Sequence, residues 1–142
     1  MRALLDVNVL IALLDADHIH HLTARSWLEA NIAAGWASCA VTQNGCIRVL
    51  SQPNYPNALA PADVAARLRE ATETPFHQYW TDAPTLLAAS AVDWQYVHGS
   101  TQVTDVYLLG LAVHHGGRLV TFDHTVPRRA VPGAQAHHLL LL

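Results

Sequence analysis

The sequence predicts an α/β domain built on a mostly parallel central sheet that is flanked by helices. Short apolar runs alternate along the chain with longer segments in which apolar residues recur at helical spacing, and this alternation is typical of a parallel sheet with helical crossovers. The chain has 142 residues, of which 51% are hydrophobic and 13% charged. Because a chain of this length can bury about 68% of its unfolded surface in one core, a single domain over residues 1–142 is expected.

The first third of the chain predicts a strand, two helices and a second strand. Residues 2–5 form a short apolar run that Asp6 ends, and residues 7–14 are so continuously apolar that a helix there must be buried on most sides. A second helix is predicted over residues 18–34, with Gly35 as its end. Residues 36–40 predict the second short strand.

The middle of the chain is punctuated by prolines. Thr42 is expected to cap a helix that continues to Leu50, and a proline-rich loop then leads to a helix over residues 62–71. Residues 76–80 predict a strand, residues 84–89 a short helix and residues 94–102 a loop.

The last third predicts one helix and two strands. The helix begins at Thr104 and ends at the pair Gly116–Gly117, because glycine is the usual residue just beyond a helix. Residues 118–122 and 138–142 are rich in β-branched or leucine side chains, which predicts the final strands.

Charge and composition exclude several classes of protein. The eight cations are all arginine, against 11 acidic residues, so the net charge of −3 indicates no general attraction to polyanions. The chain has neither the lysine that haloacid-dehalogenase phosphatases and receiver domains use near the phosphoryl group nor a phosphate-binding P-loop. No apolar run approaches the roughly 18 residues of a membrane span, and the first residues lack the pattern of a signal peptide. A cytoplasmic protein without a membrane segment is expected, with Cys39 and Cys46 as reduced, partly buried thiols.

Three aspartates follow predicted strands or open a predicted helix. Asp6 follows the first strand, Asp123 follows the strand over residues 118–122, and Asp105 lies in the first turn of the last long helix. Each alone could be a helix cap or a first-turn residue. Since parallel sheets place functional groups at the carboxyl ends of their strands, the three are predicted to meet at one site. Carboxylates gathered in this way repel one another unless a divalent cation such as Mg²⁺ or Mn²⁺ lies between them.

Two stretches of sequence also carry a family resemblance. Residues 4–10, LLDVNVL, resemble the opening motif of PIN domains, and residues 103–123, VTDVYLLGLAVHHGGRLVTFD, closely resemble the C-terminal motif block of VapC toxins. The segment over residues 36–53 is similar to the part of these toxins that carries a second acidic position. The resemblance implies a three-layer PIN-like fold and hydrolysis of RNA phosphodiesters with Mg²⁺ or Mn²⁺. It also implies a cognate antitoxin and a homodimer.

The resemblance assigns roles to individual residues. Asp6, Asp105 and Asp123 match the metal-binding acidic positions of the family and are the expected catalytic residues. Three neighbouring polar residues are expected to hold those ligands in place: Asn8, Thr42 and Thr121. The implied mechanism is attack on phosphorus by a water that the metal activates.

Gln43 is the position at which the chain departs from the family pattern, because many members have glutamate there. A glutamine oxygen can bind a hard cation, but it brings no charge and cannot serve as a general base. Gln43 therefore either contributes a neutral ligand to the metal site or is an exposed residue in the first turn of its helix. The corresponding alternative function is a PIN-like module that binds RNA or an antitoxin without efficient cleavage.

Contacts to RNA must come from a few arginines, since the chain has no lysine. Three of them are candidates for phosphate binding, because a guanidinium group can bind phosphate through two hydrogen bonds: Arg48, Arg128 and Arg129. His124 lies beside Asp123 and is interpreted either as a proton shuttle or as a solvated loop residue.

Overall fold

The computed structural model describes residues 1–81 and 85–142. Its described part contains five strands, which are β1 (Ala3–Leu5), β2 (Trp36–Ser38), β3 (His77–Tyr79), β4 (Arg118–Thr121) and β5 (Leu139–Leu141). The strands form one sheet in the order β3-β2-β1-β4-β5, and every neighbouring pair is parallel. β1 is central, with Ala3 opposite Trp36 on one side and Arg118 on the other. The predicted parallel sheet is confirmed.

Helices connect the strands and cover the sheet. In the described residues they are α1 (Val7–Leu14), α2 (His21–Asn31), α3 (Ala40–Leu50), α4 (Pro61–Thr72) and α5 (Val103–His114). Pro61 is the first residue of α4, where a missing N–H costs nothing. α5 begins one residue before its predicted start, and Gly116 just beyond it has a φ of 65°, a conformation that favours glycine.

The sheet separates two hydrophobic cores because successive strand residues point to opposite faces. Leu4 and Leu119 pack on one face with α5, while Leu5 and Val120 pack on the other with α1. Fully burying side chains of this size stabilises the fold by roughly 1.5–3 kcal/mol each. The arrangement is a three-layer α/β/α domain, as the sequence predicted.

The second helix is shorter than predicted. α2 begins at His21, and a 3-10 turn over Ile32–Ala34 replaces its last turn before Gly35. Side chains stabilise the turns before the helix, since Asp15 accepts a hydrogen bond from the Asp17 N–H and His18 Nδ1 accepts one from the His20 N–H, both at 3.0 Å. Such local bonds compete with helix formation, which explains why residues 18–20 are not helical.

Thr42 is not the helix cap, so that prediction was wrong. α3 begins at Ala40, and the extended residue Cys39 precedes it. Thr42 is the third residue of the helix, where its Oγ1 accepts a hydrogen bond from the Cys39 backbone N–H at 3.0 Å and donates to the Cys39 carbonyl at 3.2 Å. Thr42 is fully buried, and this local pairing satisfies its hydroxyl.

The predicted helix over residues 84–89 starts at a residue outside those described, and residues 85–89 form turns. The Thr85 hydroxyl oxygen accepts a hydrogen bond from the Leu87 N–H at 3.1 Å, a local bond that favours a turn over a helix. The predicted loop over residues 94–102 contains two short 3-10 turns, Trp94–Tyr96 and Ser100–Gln102.

Candidate active site

The three predicted aspartates lie at one edge of the sheet. Asp6 directly follows β1, Asp123 follows the neighbouring strand β4 by two residues, and Asp105 is the third residue of α5. The negative charges of Asp6 and Asp123 each contribute to raising the pKa of Asp105. The three carboxylates therefore lie within electrostatic reach of one another.

Asp6 is a buried carboxylate held by three hydrogen bonds. Its Oδ1 accepts from the Val7 backbone N–H at 2.7 Å, so Asp6 also caps α1. Its Oδ2 accepts from Thr121 Oγ1 at 2.6 Å and from Asn8 Nδ2 at 3.3 Å. Burial raises the pKa of Asp6 above its usual value, its hydrogen bonds oppose that shift, and the charge of Asp123 adds to it. The side chain is fixed in one orientation by groups on two different elements.

Asn8 and Thr121 fix the relation between α1 and β4. Thr121 is fully buried, and its Oγ1 accepts from Asn8 Nδ2 at 3.0 Å and from the Asp123 backbone N–H at 3.0 Å. Asn8 Oδ1 accepts from the Phe122 N–H at 3.2 Å. Both residues tie together the segments that carry Asp6 and Asp123. Thr42 bonds to Cys39, and none of its hydrogen bonds in the described residues reaches an aspartate of the cluster.

Asp105 is the carboxylate whose protonation is most perturbed. Its side chain is 8% exposed, and within residues 1–81 and 85–142 no group donates a hydrogen bond to it. Burial, followed by the negative charges of Asp6 and Asp123, raises its pKa to about 6. A carboxylate in this environment gains more from a nearby positive charge than an exposed one does.

Asp123 is half-buried and ionises easily. Its Oδ1 accepts from the Thr125 backbone N–H at 2.7 Å and from Thr125 Oγ1 at 2.6 Å. These bonds lower the pKa of Asp123 below its usual value. Neither bond uses Oδ2, so no described residue donates a hydrogen bond to that oxygen, which can accept another ligand.

The donor chemistry of the cluster fits a divalent cation. Carboxylate oxygens are the ligands that hard cations prefer, and the pKa of Asp105 is raised by burial and then by the negative charges of Asp6 and Asp123. Across the part of the chain that the structure describes, no group of three or more His, Cys, Asp or Glu side chains is arranged to hold a metal ion as it stands. A cation bound at the cluster would be held by Asp6, Asp105 and Asp123.

Gln43 is half-buried on α3 and points its amide nitrogen at β2. Its Nε2 donates to Ser38 Oγ at 2.9 Å, and Ser38 Oγ pairs with Nε2 of His77 on β3 at 2.8 Å. Burial, and then the charge of Arg2, lower the pKa of His77. Sequence reasoning missed Ser38 and His77, since nothing local signals a contact between residues 39 positions apart.

The three candidate arginines lie in two different places. Arg48 is exposed on α3, whereas Arg128 and Arg129 open a 3-10 turn, Arg128–Ala130, a few residues after Asp123. The guanidinium carbon of Arg129 lies 5.3 Å from the centre of the Tyr96 ring. His124 is exposed.

The expectations about the two cysteines and about membrane-spanning segments can be compared with the structure. Cys39 and Cys46 are buried free thiols, and burial raises the pKa of Cys46 to about 12, which makes it unreactive. Among the described residues, no helix has the length and apolar character needed to cross a membrane.

The fold agrees with comparisons to known proteins. A family model described as PIN domain matches residues 3–132, so the chain is a PIN domain. A chain of the crystal structure of VapBC2 from Rickettsia felis, bound to a DNA fragment from their promoter, superimposes with a TM-score of 0.60 and 14% identity, covering 100% of this chain and 98% of the other. At that identity the superposition shows the fold alone.

Relatives of known family narrow the assignment of the chain to a group within the PIN domains. The chain is 51% identical to Ribonuclease VapC44 of Mycobacterium tuberculosis over 142 residues, which is 100% of both chains. It is 40% identical to Ribonuclease VapC39 of the same organism over 134 residues, covering 94% of this chain and 96% of the other. The chain belongs to the VapC group of the PIN-domain family, in which dependence on a divalent metal is a general property.

Proposed function

We propose that the chain is the toxin ribonuclease of a VapBC-type toxin–antitoxin pair and that it hydrolyses RNA phosphodiester bonds at Asp6, Asp105 and Asp123. The observation that carries the proposal is the cluster itself, in which the charges of Asp6 and Asp123 help to raise the pKa of Asp105 to about 6. Kinship with ribonucleases over the full chain supports the reaction class. The cation is Mg²⁺ or Mn²⁺, because small hard cations suit carboxylate ligands.

The three aspartates have different tasks in this proposal. When bound, the cation supplies a water of lowered pKa and neutralises charge on the phosphate oxygens. Asp6 acts as the fixed ligand, because Thr121 and the Val7 N–H hold both of its oxygens. Asp105 has no hydrogen bond to a described residue and can turn toward the cation. Asp123 contributes the oxygen that Thr125 leaves free.

A cleavage assay with matched variants tests the proposal. Asp63 is an exposed aspartate in the first turn of α4, as Asp105 is a buried one in the first turn of α5. Purified protein is expected to cut a labelled RNA only when Mg²⁺ or Mn²⁺ is added, Asp105→Asn to lose that activity, and Asp63→Asn to keep it. Cleavage in excess chelator, or equal loss in both variants, would overturn the assignment.

The second candidate function is RNA or antitoxin binding without efficient cleavage, and the neutral Gln43 favours it. A carboxylate at position 43 would add a charged ligand, whereas the amide is engaged with Ser38. The same assay separates the two functions, since a binding module would retain labelled RNA in a filter assay while leaving it uncut at saturating cation.

The partners of the toxin are also part of the proposal. The fold neighbour comes from a VapBC complex, which supports a cognate antitoxin for this chain, and we propose a homodimer that acts on RNA in the cytoplasm. A candidate antitoxin must suppress cleavage at a stoichiometric ratio. Light scattering of the purified chain measures its oligomeric state directly, and a monomer at micromolar concentration would refute the dimer.

A further inference from the structure

An open cleft of about 500 Å³ lies beside the aspartate cluster. One wall comes from the segment after the Trp94–Tyr96 turn, and the other from the loop that follows Asp123. We call it the arginine cleft and define it by Tyr96, His98, Gln102, Thr125, Arg128 and Arg129.

Hydrogen bonds join the arginine cleft to the cluster. Gln102 bridges the two walls, because its Oε1 accepts from the His98 N–H at 2.8 Å and its Nε2 donates to the Thr125 carbonyl at 3.0 Å. Thr125 in turn donates both its N–H and its hydroxyl to Asp123. An RNA strand that occupies the cleft would therefore lie next to Asp123, a proposed metal ligand.

The charge of the arginine cleft is opposite to that of the cluster. Arg128 and Arg129 are consecutive and exposed, and neither forms an ion pair with a carboxylate of the described residues. Two other arginines are engaged elsewhere: Arg2 donates to the Phe76 carbonyl at 2.7 Å, and Arg25 pairs with Glu29 at 2.8 Å. In a chain with net charge −3 and no lysine, the cleft supplies local positive charge where a polyanion must approach three carboxylates.

The cleft also offers a flat surface. The guanidinium carbon of Arg129 lies over the Tyr96 ring, 5.3 Å from its centre, in a cation–π arrangement. Arg128 donates one hydrogen bond, from Nη1 to the Ala134 carbonyl at 3.3 Å, and its other guanidinium donors have no acceptor among the described residues. Aromatic rings and guanidinium planes stack on unpaired bases, while free guanidinium donors bind phosphate.

We infer that the arginine cleft binds one unpaired nucleotide of the RNA next to the scissile phosphodiester, with its base on the Tyr96–Arg129 pair and its phosphate at Arg128. This inference rests on the proposed ribonuclease function and names the substrate feature that function requires. An unpaired nucleotide fits because bases inside a duplex have no free face to stack on a side chain. The enzyme would consequently cut in loops or single strands.

The test uses the full chain and a fluorescein-labelled single-stranded RNA in chelator, where no cleavage occurs. Arg128→Gln and Arg129→Gln are each expected to weaken binding roughly tenfold, about 1.4 kcal/mol. Loss of the Arg128 phosphate contact should reduce the slope of log affinity against log salt by about 0.7. The matched control is Arg67→Gln, since Arg67 is exposed on α4 and lines a different cavity.

A base-stacking probe and steady-state kinetics give two further readouts. RNA that carries 2-aminopurine at the cleft position should lose fluorescence on binding, and Tyr96→Leu should abolish that quenching. With Mg²⁺ or Mn²⁺ present, both arginine variants should raise KM while kcat stays within about twofold, because uniform binding energy is lost. Melting curves show whether each variant is folded. If Tyr96→Leu does not fold, RNA binding by Arg129→Gln tests the stacking surface instead.

The outcomes separate this inference from the proposed function. If both arginine variants bind and cleave like the wild type, the inference is overturned and the ribonuclease assignment stands. If the wild type never cleaves but its RNA affinity still falls in both variants, the cleft is supported and the ribonuclease assignment fails. Binding of duplex RNA as tightly as single strands would also overturn the inference.

Discussion

The Gln43 carboxamide donates from Nε2 to the Ser38 hydroxyl oxygen at 2.9 Å, and that oxygen lies 2.8 Å from His77 Nε2. An amide nitrogen only donates, so the Ser38 hydroxyl oxygen must accept from Gln43. The Ser38 O–H can then donate a hydrogen bond to His77 Nε2. Burial and Arg2 lower the pKa of His77, which keeps the ring neutral and able to accept. The amide at position 43 is thereby oriented by two strands of the sheet.

Gln43→Glu should reverse the polarity of this chain of hydrogen bonds. A carboxylate cannot donate, so the Ser38 hydroxyl would turn to it and His77 would become the donor, a tautomer change that ¹⁵N NMR of the imidazole detects. If position 43 faces the cluster, the added charge should also tighten Mg²⁺ or Mn²⁺ binding by about tenfold, or 1.4 kcal/mol. Calorimetric titration measures that change.

The same variant should melt at a lower temperature in chelator, because a fourth carboxylate would repel the other three. Gln43→Ala is the control, since it removes the Ser38 bond without adding charge. An unchanged metal affinity together with an unchanged melting temperature would show that position 43 lies outside the metal site.

Asp105 should make the metal-free protein lose stability as the pH rises. Its pKa is about 6 in the folded protein, above the usual aspartate value of 3.8, so the folded state binds the proton more tightly than the unfolded state does. Its contribution is therefore fully present below pH 3.8 and is lost as the pH rises through about 6. The change should be on the order of 1–3 kcal/mol.

Denaturation in chelator between pH 4.5 and about 7.5, compared for the wild type and Asp105→Asn, isolates this contribution from those of other groups. The variant should show a flatter pH profile and higher stability at neutral pH. Parallel profiles for the two proteins would contradict the perturbed pKa.

Asp6 combines a structural role with a proposed catalytic one, and two substitutions separate them. Asparagine can still cap α1 through its side-chain oxygen, whereas alanine cannot and should cost about 1 kcal/mol of stability. Both Asp6→Asn and Asp6→Ala should lose RNA cleavage, while only the alanine variant should melt earlier. Cleavage by Asp6→Asn on a defined RNA with Mn²⁺ would rule out Asp6 as an essential ligand.

Thr121 should influence the site through its hydroxyl, which bonds to Asp6, Asn8 and the backbone of Asp123. Thr121→Val keeps the shape but leaves buried polar groups without a partner, at a cost of about 1–3 kcal/mol. Metal affinity should fall by roughly 10- to 100-fold, because Asp6 loses the hydrogen bond that holds it to β4.

Thr121→Ser provides the comparison, since it keeps the hydroxyl and loses one methyl group. It should retain metal affinity and most of the stability in the same calorimetric and melting experiments. A serine variant as impaired as the valine variant would assign the role of Thr121 to packing and not to its hydrogen bonds.

The sequence by itself determined the five strands, the long helices and the positions of the three aspartates. These features depend on local information: apolar periodicity, glycine and proline at element ends, and a polar residue where a strand stops. The ends of parallel strands share one edge, so Asp6 and Asp123 could be predicted to lie near each other from their positions alone.

Only the tertiary structure decided what surrounds those aspartates. Thr121 and Asp6 are 115 residues apart in the sequence. The hydrogen bond from the Thr121 hydroxyl to Asp6 forms because β4 is the neighbour of β1 in the sheet. The pKa of Asp105 depends on its burial and on two charges from other elements, and the Tyr96–Arg129 pair depends on two loops that meet in space. Such contacts follow from strand order and packing, which local sequence patterns do not encode.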